Sequence, residues 1–136
     1  LEDRAMLSPT VTASSAALSA SETEIVINGT GFDPIVANNS VTFNKSAVGV
    51  ITAATSTSLT VTFTTMPSSA GNLTAVVTTN SVSSGAAVQV ATVTPDVTSN
   101  GATVPANATT LTILGAGFDT TASNNTVTFN NGAVGT

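Results

Sequence analysis

The sequence predicts an all-β chain organised as tandem β-sandwiches, the second of them incomplete. Three observations carry the prediction. Residue usage is that of pleated sheet: 27 Thr and 16 Ser stand among 136 residues, and only 7% are charged, against roughly 25% in ordinary globular proteins. Thr and Val favour a half-buried pleated surface, whereas helix-forming Glu, Lys, Arg and Gln are scarce. Short stretches alternate apolar and polar residues, the period of a strand with one face inward. Finally, a shift of 86 residues matches 20 of the 42 positions of 9–50 to 95–136.

The elements follow in order. Residues 8–18 form a first edge segment. "EIVIN" (24–28) places Ile25 and Ile27 on one face, and "SVTFN" (40–44) does the same with Val41 and Phe43. "AVGVITA" (47–53) is a strand with Gly49 at a bulge or close approach. "SLTVTFT" (58–64) is the clearest alternation, with Leu59, Val61 and Phe63 inward and Thr60 and Thr62 outward. "NLTAVVTT" (72–79) and "AAVQVATV" (86–93) complete seven strands, separated by Gly, Pro, Asn and Ser clusters such as "MPSSAGN" (66–72). The expected core is Ile25, Ile27, Phe32, Val41, Phe43, Leu59, Val61, Phe63, Leu73, Val77, Val88 and Val90.

The repeat sets the domain boundaries. Residues 1–7, "LEDRAML", carry a charge density unlike the rest and read as a leader- or tag-like segment. Residues 8–93 are a complete sandwich, and 94–136 are the N-terminal half of a second, with equivalents of the first four segments only. That half would leave Leu111, Ile113, Val127 and Phe129 facing water and its strand edges unpaired. Either further residues of a longer protein close it, or strands of another chain do, by strand addition. The link "VATVTPDVT" (90–98) has no Gly/Ser stretch and contains Pro95, so a semi-rigid junction is expected.

Composition excludes several function classes. Formal net charge is −5 and the only cations are Arg4 and Lys45, so the clustered positive charge that phosphates require is missing and nucleic acid is not a partner. No apolar run approaches the roughly 18 residues of a membrane span. The chain has no His and no Cys, which removes the usual nucleophile–base pairs and any disulfide framework. The acids Glu2, Asp3, Glu22, Glu24, Asp33, Asp96 and Asp119 form no convincing catalytic pair, because Asp33 and Asp119 are equivalent positions of two copies. No enzyme is expected.

Two sets of residues remain as candidate sites. Asp33, with Asn38 and Asn39 in the same loop, offers oxygen ligands of the kind calcium takes, and Asp119, Asn124 and Asn125 repeat the set. One carboxylate per loop is thin for a divalent cation, and Asp and Asn serve turns by bonding their own backbone. The reading is that no metal or cofactor is held. Asn-x-Ser/Thr sequons stand at Asn28, Asn38, Asn44, Asn72, Asn107 and Asn124, acceptors for N-glycans in a eukaryotic secreted protein. "GTGFDP" (29–34) lacks the helix of a phosphate loop; its glycines turn the chain and Phe32 plugs the sandwich end.

The succession "SPTVT" or "TPDVT", then "IVINGTGFD" or "LTILGAGFD", then "NSVTFN" or "NTVTFN" resembles the IPT/TIG domains, immunoglobulin-like modules of plexins, some transcription factors, and many bacterial and algal surface proteins. The resemblance covers 8–93 in full and 94–136 in part. It implies tandem immunoglobulin-like sandwiches and an extracellular or cell-surface setting. The DNA-binding members use basic loops that this chain lacks. The expected function is a non-enzymatic structural or adhesive module of a fibre, stalk or surface protein, packing against copies of itself or neighbouring modules. The alternative is a carbohydrate- or protein-binding accessory module, for which the absence of Trp and Tyr leaves few stacking platforms for glycans.

Overall fold

A computed structural model describes residues 7–136; the leader-like segment, apart from Leu7, lies outside them. The first strands are β1 (Thr10–Val11), β2 (Ala17–Ser19), β3 (Glu24–Thr30), β4 (Asn39–Phe43), β5 (Val48–Ala54) and β6 (Ser58–Thr65). They are followed by β7 (Gly71–Thr79), β8 (Val82–Ser83) and β9 (Val88–Thr94). One sheet runs β1-β3-β6-β5; the other runs β2-β9-β7-β4, with β8 paired to β7. All pairings are antiparallel except β2 with β9. This is an immunoglobulin-like sandwich.

The two sheets close on one apolar cluster. Ile25, Ile27, Leu59 and Val61 reach it from the first sheet, and Leu73, Ala75, Val77, Val90 and Val93 from the second. The alternation in β6 lands as expected: Leu59, Val61 and Phe63 are buried between half-buried Thr60 and Thr62. Its neighbour β3 sets Ile25 opposite Val61 and Ile27 opposite Leu59, so aliphatic pairs stack on the inward face. Gly49 is a point of close approach. A Cβ there would overlap Val61 Cγ1, and the β5–β6 register shifts between Val48 and Gly49.

Several expectations are corrected. The single edge segment 8–18 is two strands, because the chain leaves the first sheet after Val11 and joins the second at Ala17. Val41 and Phe43 are half-buried rather than core, since β4 is an edge strand of its sheet. Val88, at the start of β9, is likewise half-buried. A register shift between Leu73 and Thr74 lets Val90 and Ala91, consecutive in β9, both be buried. Leu18, Ala20, Ala47, Ile51 and Val93 are further core residues that alternation did not mark.

In the second copy the expected strands are reduced to β10 (Asp96–Val97) and β11 (Gly115–Ala116). Residues 109–114 and 126–130 form no regular strand. Strands persist through partners, and among the described residues the equivalents of β6 and β7 are missing beside them. Leu111, Val127 and Phe129 are exposed accordingly, and Ile113 is half-exposed.

Candidate functional site

What the second copy keeps is its local geometry. Asp96 pairs with Ala116 and Val97 with Gly115, the register of Thr10 with Thr30 and Val11 with Gly29 moved by 86 residues. A Cβ on Gly29 would overlap the Thr10 carbonyl and come within 2.5 Å of Phe32 Cζ; on Gly115 it would overlap the Asp96 carbonyl and come within 2.6 Å of Phe118 Cζ. Each glycine thus clears room for a phenylalanine folded back over the first strand pair. The turn at 44–47, closed by Ala47 N–H to the Asn44 carbonyl at 3.1 Å, recurs as Ala133 to Asn130 at 3.3 Å. Its two central residues have positive φ in both copies: Lys45 and Ser46, then Asn131 and Gly132.

The Asp–Asn loop is built by the same contacts twice. The Ile35 N–H donates to Asp33 Oδ1 at 2.8 Å and Asn38 Nδ2 donates to Asp33 Oδ2 at 3.0 Å. Asn39 Oδ1 accepts the Asp33 N–H at 3.1 Å, while its Nδ2 donates to the carbonyls of Asp33 and Ile35. Thr121, Asn124 and Asn125 bond Asp119 in the same manner at 2.7–3.2 Å. These are Asx turns, capped by single 3-10 turns at Val36–Asn38 and Ala122–Asn124. The first loop alone receives help from the end of β7 and the turn after it: the Thr79 hydroxyl donates to Asn39 Oδ1 at 2.8 Å, and Asn80 Nδ2 to Asp33 Oδ2 at 2.9 Å.

The Asp33 carboxyl is held below its ordinary value, first by the Ile35 N–H and then by the Asn80 and Asn38 amides. Asp119 is lowered first by the Thr121 N–H and then by Asn124. Both carboxylates face N–H donors, the reverse of what a divalent cation asks of its shell. This geometry gives the calcium reading at Asp33, Asn38, Asp119 and Asn124 no support. Among the described residues no three His, Cys, Asp or Glu side chains gather as metal ligands, and no buried side-chain polar atom lacks a partner.

The sequons divide by the state of their amides. Asn38 and Asn124 spend Nδ2 on the aspartates. Asn44 spends it on the Asn72 carbonyl at 3.0 Å, while its Oδ1 accepts the Thr74 N–H at 2.8 Å, stitching β4 to β7. Asn28, Asn72 and Asn107 are exposed. Sequence spacing could not separate the two groups, since the amide partners come from loop and strand neighbours.

The two copies meet at a short joint. Thr94 ends β9 and Asp96 begins β10, with only Pro95 between. The Ala70 N–H donates to the Gly117 carbonyl at 3.1 Å, and the Ser21 hydroxyl to Asp96 Oδ2 at 2.5 Å. Ala116 packs against the core cluster of the first sandwich. Sequence reasoning expected stiffness from Pro95 but missed the two hydrogen bonds, which join residues 47 and 75 positions apart in the chain.

No curated protein and no solved structure matches the chain significantly. The sequence model of the IPT/TIG domain matches residues 9–94, the span that folds here as the immunoglobulin-like sandwich, and the chain belongs to the IPT/TIG family.

Proposed function

We propose that this chain is a non-enzymatic structural or adhesive part of an extracellular fibre, stalk or surface protein, acting by rigid tandem stacking and subunit packing. Residues 94–136 are read as the N-terminal half of a second sandwich, a reading supported by the repeated strand pair, Asp–Asn loop and turn. The observation that carries the function is the joint: the second copy of the sequence follows the sandwich across a single proline, and backbone and hydroxyl groups bond across the boundary. A spacer-free boundary suits a load-transmitting stalk. The surface suits it as well, because Ser, Thr and Asn supply hydrogen bonds while few charges repel a neighbour. Partners are then neighbouring modules and other copies of the chain.

The competing reading, a glycan-binding accessory module, wants an exposed aromatic platform. In residues 9–94 Phe32 and Phe63 are buried, and Phe43 packs on Phe63 with ring centroids 5.5 Å apart. Immunogold labelling of thin sections of source cells tests the proposal: gold on surface fibres or stalks is the expected result. Labelling confined to the cell interior would overturn it.

A further inference from the structure

The side of the joint provided by the first sandwich is more elaborate than a linker requires. The loop between β6 and β7 offers the Ala70 N–H to Gly117, and that loop is itself pinned. Lys45 Nζ donates to the Ala70 carbonyl at 2.7 Å and to Ser69 Oγ at 3.3 Å. The Lys45 carbonyl accepts the Ser68 N–H at 2.9 Å. The sole lysine of the chain, in a turn with positive φ (55°), thus holds one face of the segment whose other face grips the second copy.

The incoming side is matched to this surface by a glycine. Gly117 has φ +77°, and a Cβ there would lie 2.6 Å from Ala20 Cβ. Its counterpart Gly31 has φ +74°, but the atoms nearest a Cβ there are backbone of its own entering strand, Pro9 and Ser8, at 3.3 Å. The two glycines therefore share a conformational demand, and only Gly117 carries a steric demand from across the joint. Ala20 is 1% exposed, with Gly117 beside it.

We propose that Ala20, Ser21, Lys45 and Ala70 form a docking socket for the opening of a following IPT/TIG module, with Lys45 positioning the socket and Gly117 fitting it. The inference rests on the tandem reading above. The socket holds the next module in one orientation. The second copy has Asn131 where the first has Lys45, so a joint after the second module would lack the cationic pin.

Because the chain has no cysteine, spin labels on Thr42→Cys and Thr112→Cys report the inter-module distance without background. Both positions are exposed. Pulsed dipolar spectroscopy of the 136-residue chain is expected to show one narrow distance distribution. It should broaden about twofold or more in Lys45→Met and in Gly117→Ala, and keep its width in Gly31→Ala, where the positive-φ strain is the same. Far-UV circular dichroism should show the sheet intact in Lys45→Met. A broad distribution in the parent, or unchanged width in Lys45→Met and Gly117→Ala, would overturn the socket. These outcomes are separable from localisation: a narrow joint in an intracellular protein would leave the socket standing and remove the surface role.

Discussion

Phe63 and Phe43 look equivalent in sequence, each alternating with threonine, yet they occupy different places. Phe63 is 7% exposed in the interior strand β6, whereas Phe43 is half-buried on the edge strand β4. Phe63→Ala is therefore expected to cost about 3–5 kcal/mol, the range for buried aromatic deletion, and Phe43→Ala distinctly less. Urea denaturation of both variants checks the order. Asp33 provides a second test at this scale. Its folded-state carboxyl lies below the unfolded value of 3.8, so its contribution is present above that value and lost as pH falls through the folded one. Asp33→Asn should flatten the fall of the melting temperature as pH drops through and below the ordinary carboxylate range. Asp119→Asn should do less, since no amide from a β7 equivalent bonds Asp119 among the described residues.

At the scale of elements, β4 depends on cross-strand ties more than on its hydrophobic content. Asn44 joins it to β7 by two hydrogen bonds, to the Asn72 carbonyl and from the Thr74 N–H. Asn44→Ala should destabilise the sandwich by about 1 kcal/mol, the usual scale for such bonds at a partly solvated site, measured as a shift in urea midpoint with unchanged slope. Asn72→Ala, whose side chain is exposed, should leave the midpoint nearly unmoved. The interior strands were legible in the sequence because β6 and β7 are apolar on alternate residues. The edges were less so: the sheet switch between Val11 and Ala17 and the two-residue β8 have too few residues to show a period. The Asp33 loop was legible as a turn but not as a hydrogen-bonded unit, because Thr79 and Asn80 reach it from 40 and 47 positions away.

For the whole molecule, stability resides in residues 9–94, where both sheets and the core cluster lie. A chain ending after Val97 is expected to unfold cooperatively, at a temperature within a few degrees of the 136-residue chain, by circular dichroism. Loss of cooperative unfolding would show that the second copy supports the first through more than the joint. The same division explains why two nearly identical sequence stretches have different secondary structure. "IVINGTGFD" is a strand because β6 pairs beside it, and "LTILGAGFD" is mostly not, because none of the described residues does so.

By itself the sequence determined the all-β class, the strands β3 to β7 and β9 along the chain, the repeat and the family, since alternation and turn residues act over a few neighbours. It also determined the Gly–Phe step and the Asp–Asn turn, which close locally and appear in both copies even where the sheet does not. Only the tertiary structure decided which alternating residues are core and which lie at an edge, which sequon amides are already bonded, and that Lys45 grips the loop receiving Gly117. Those properties depend on pairs distant in the chain, brought together by sheet order rather than by spacing.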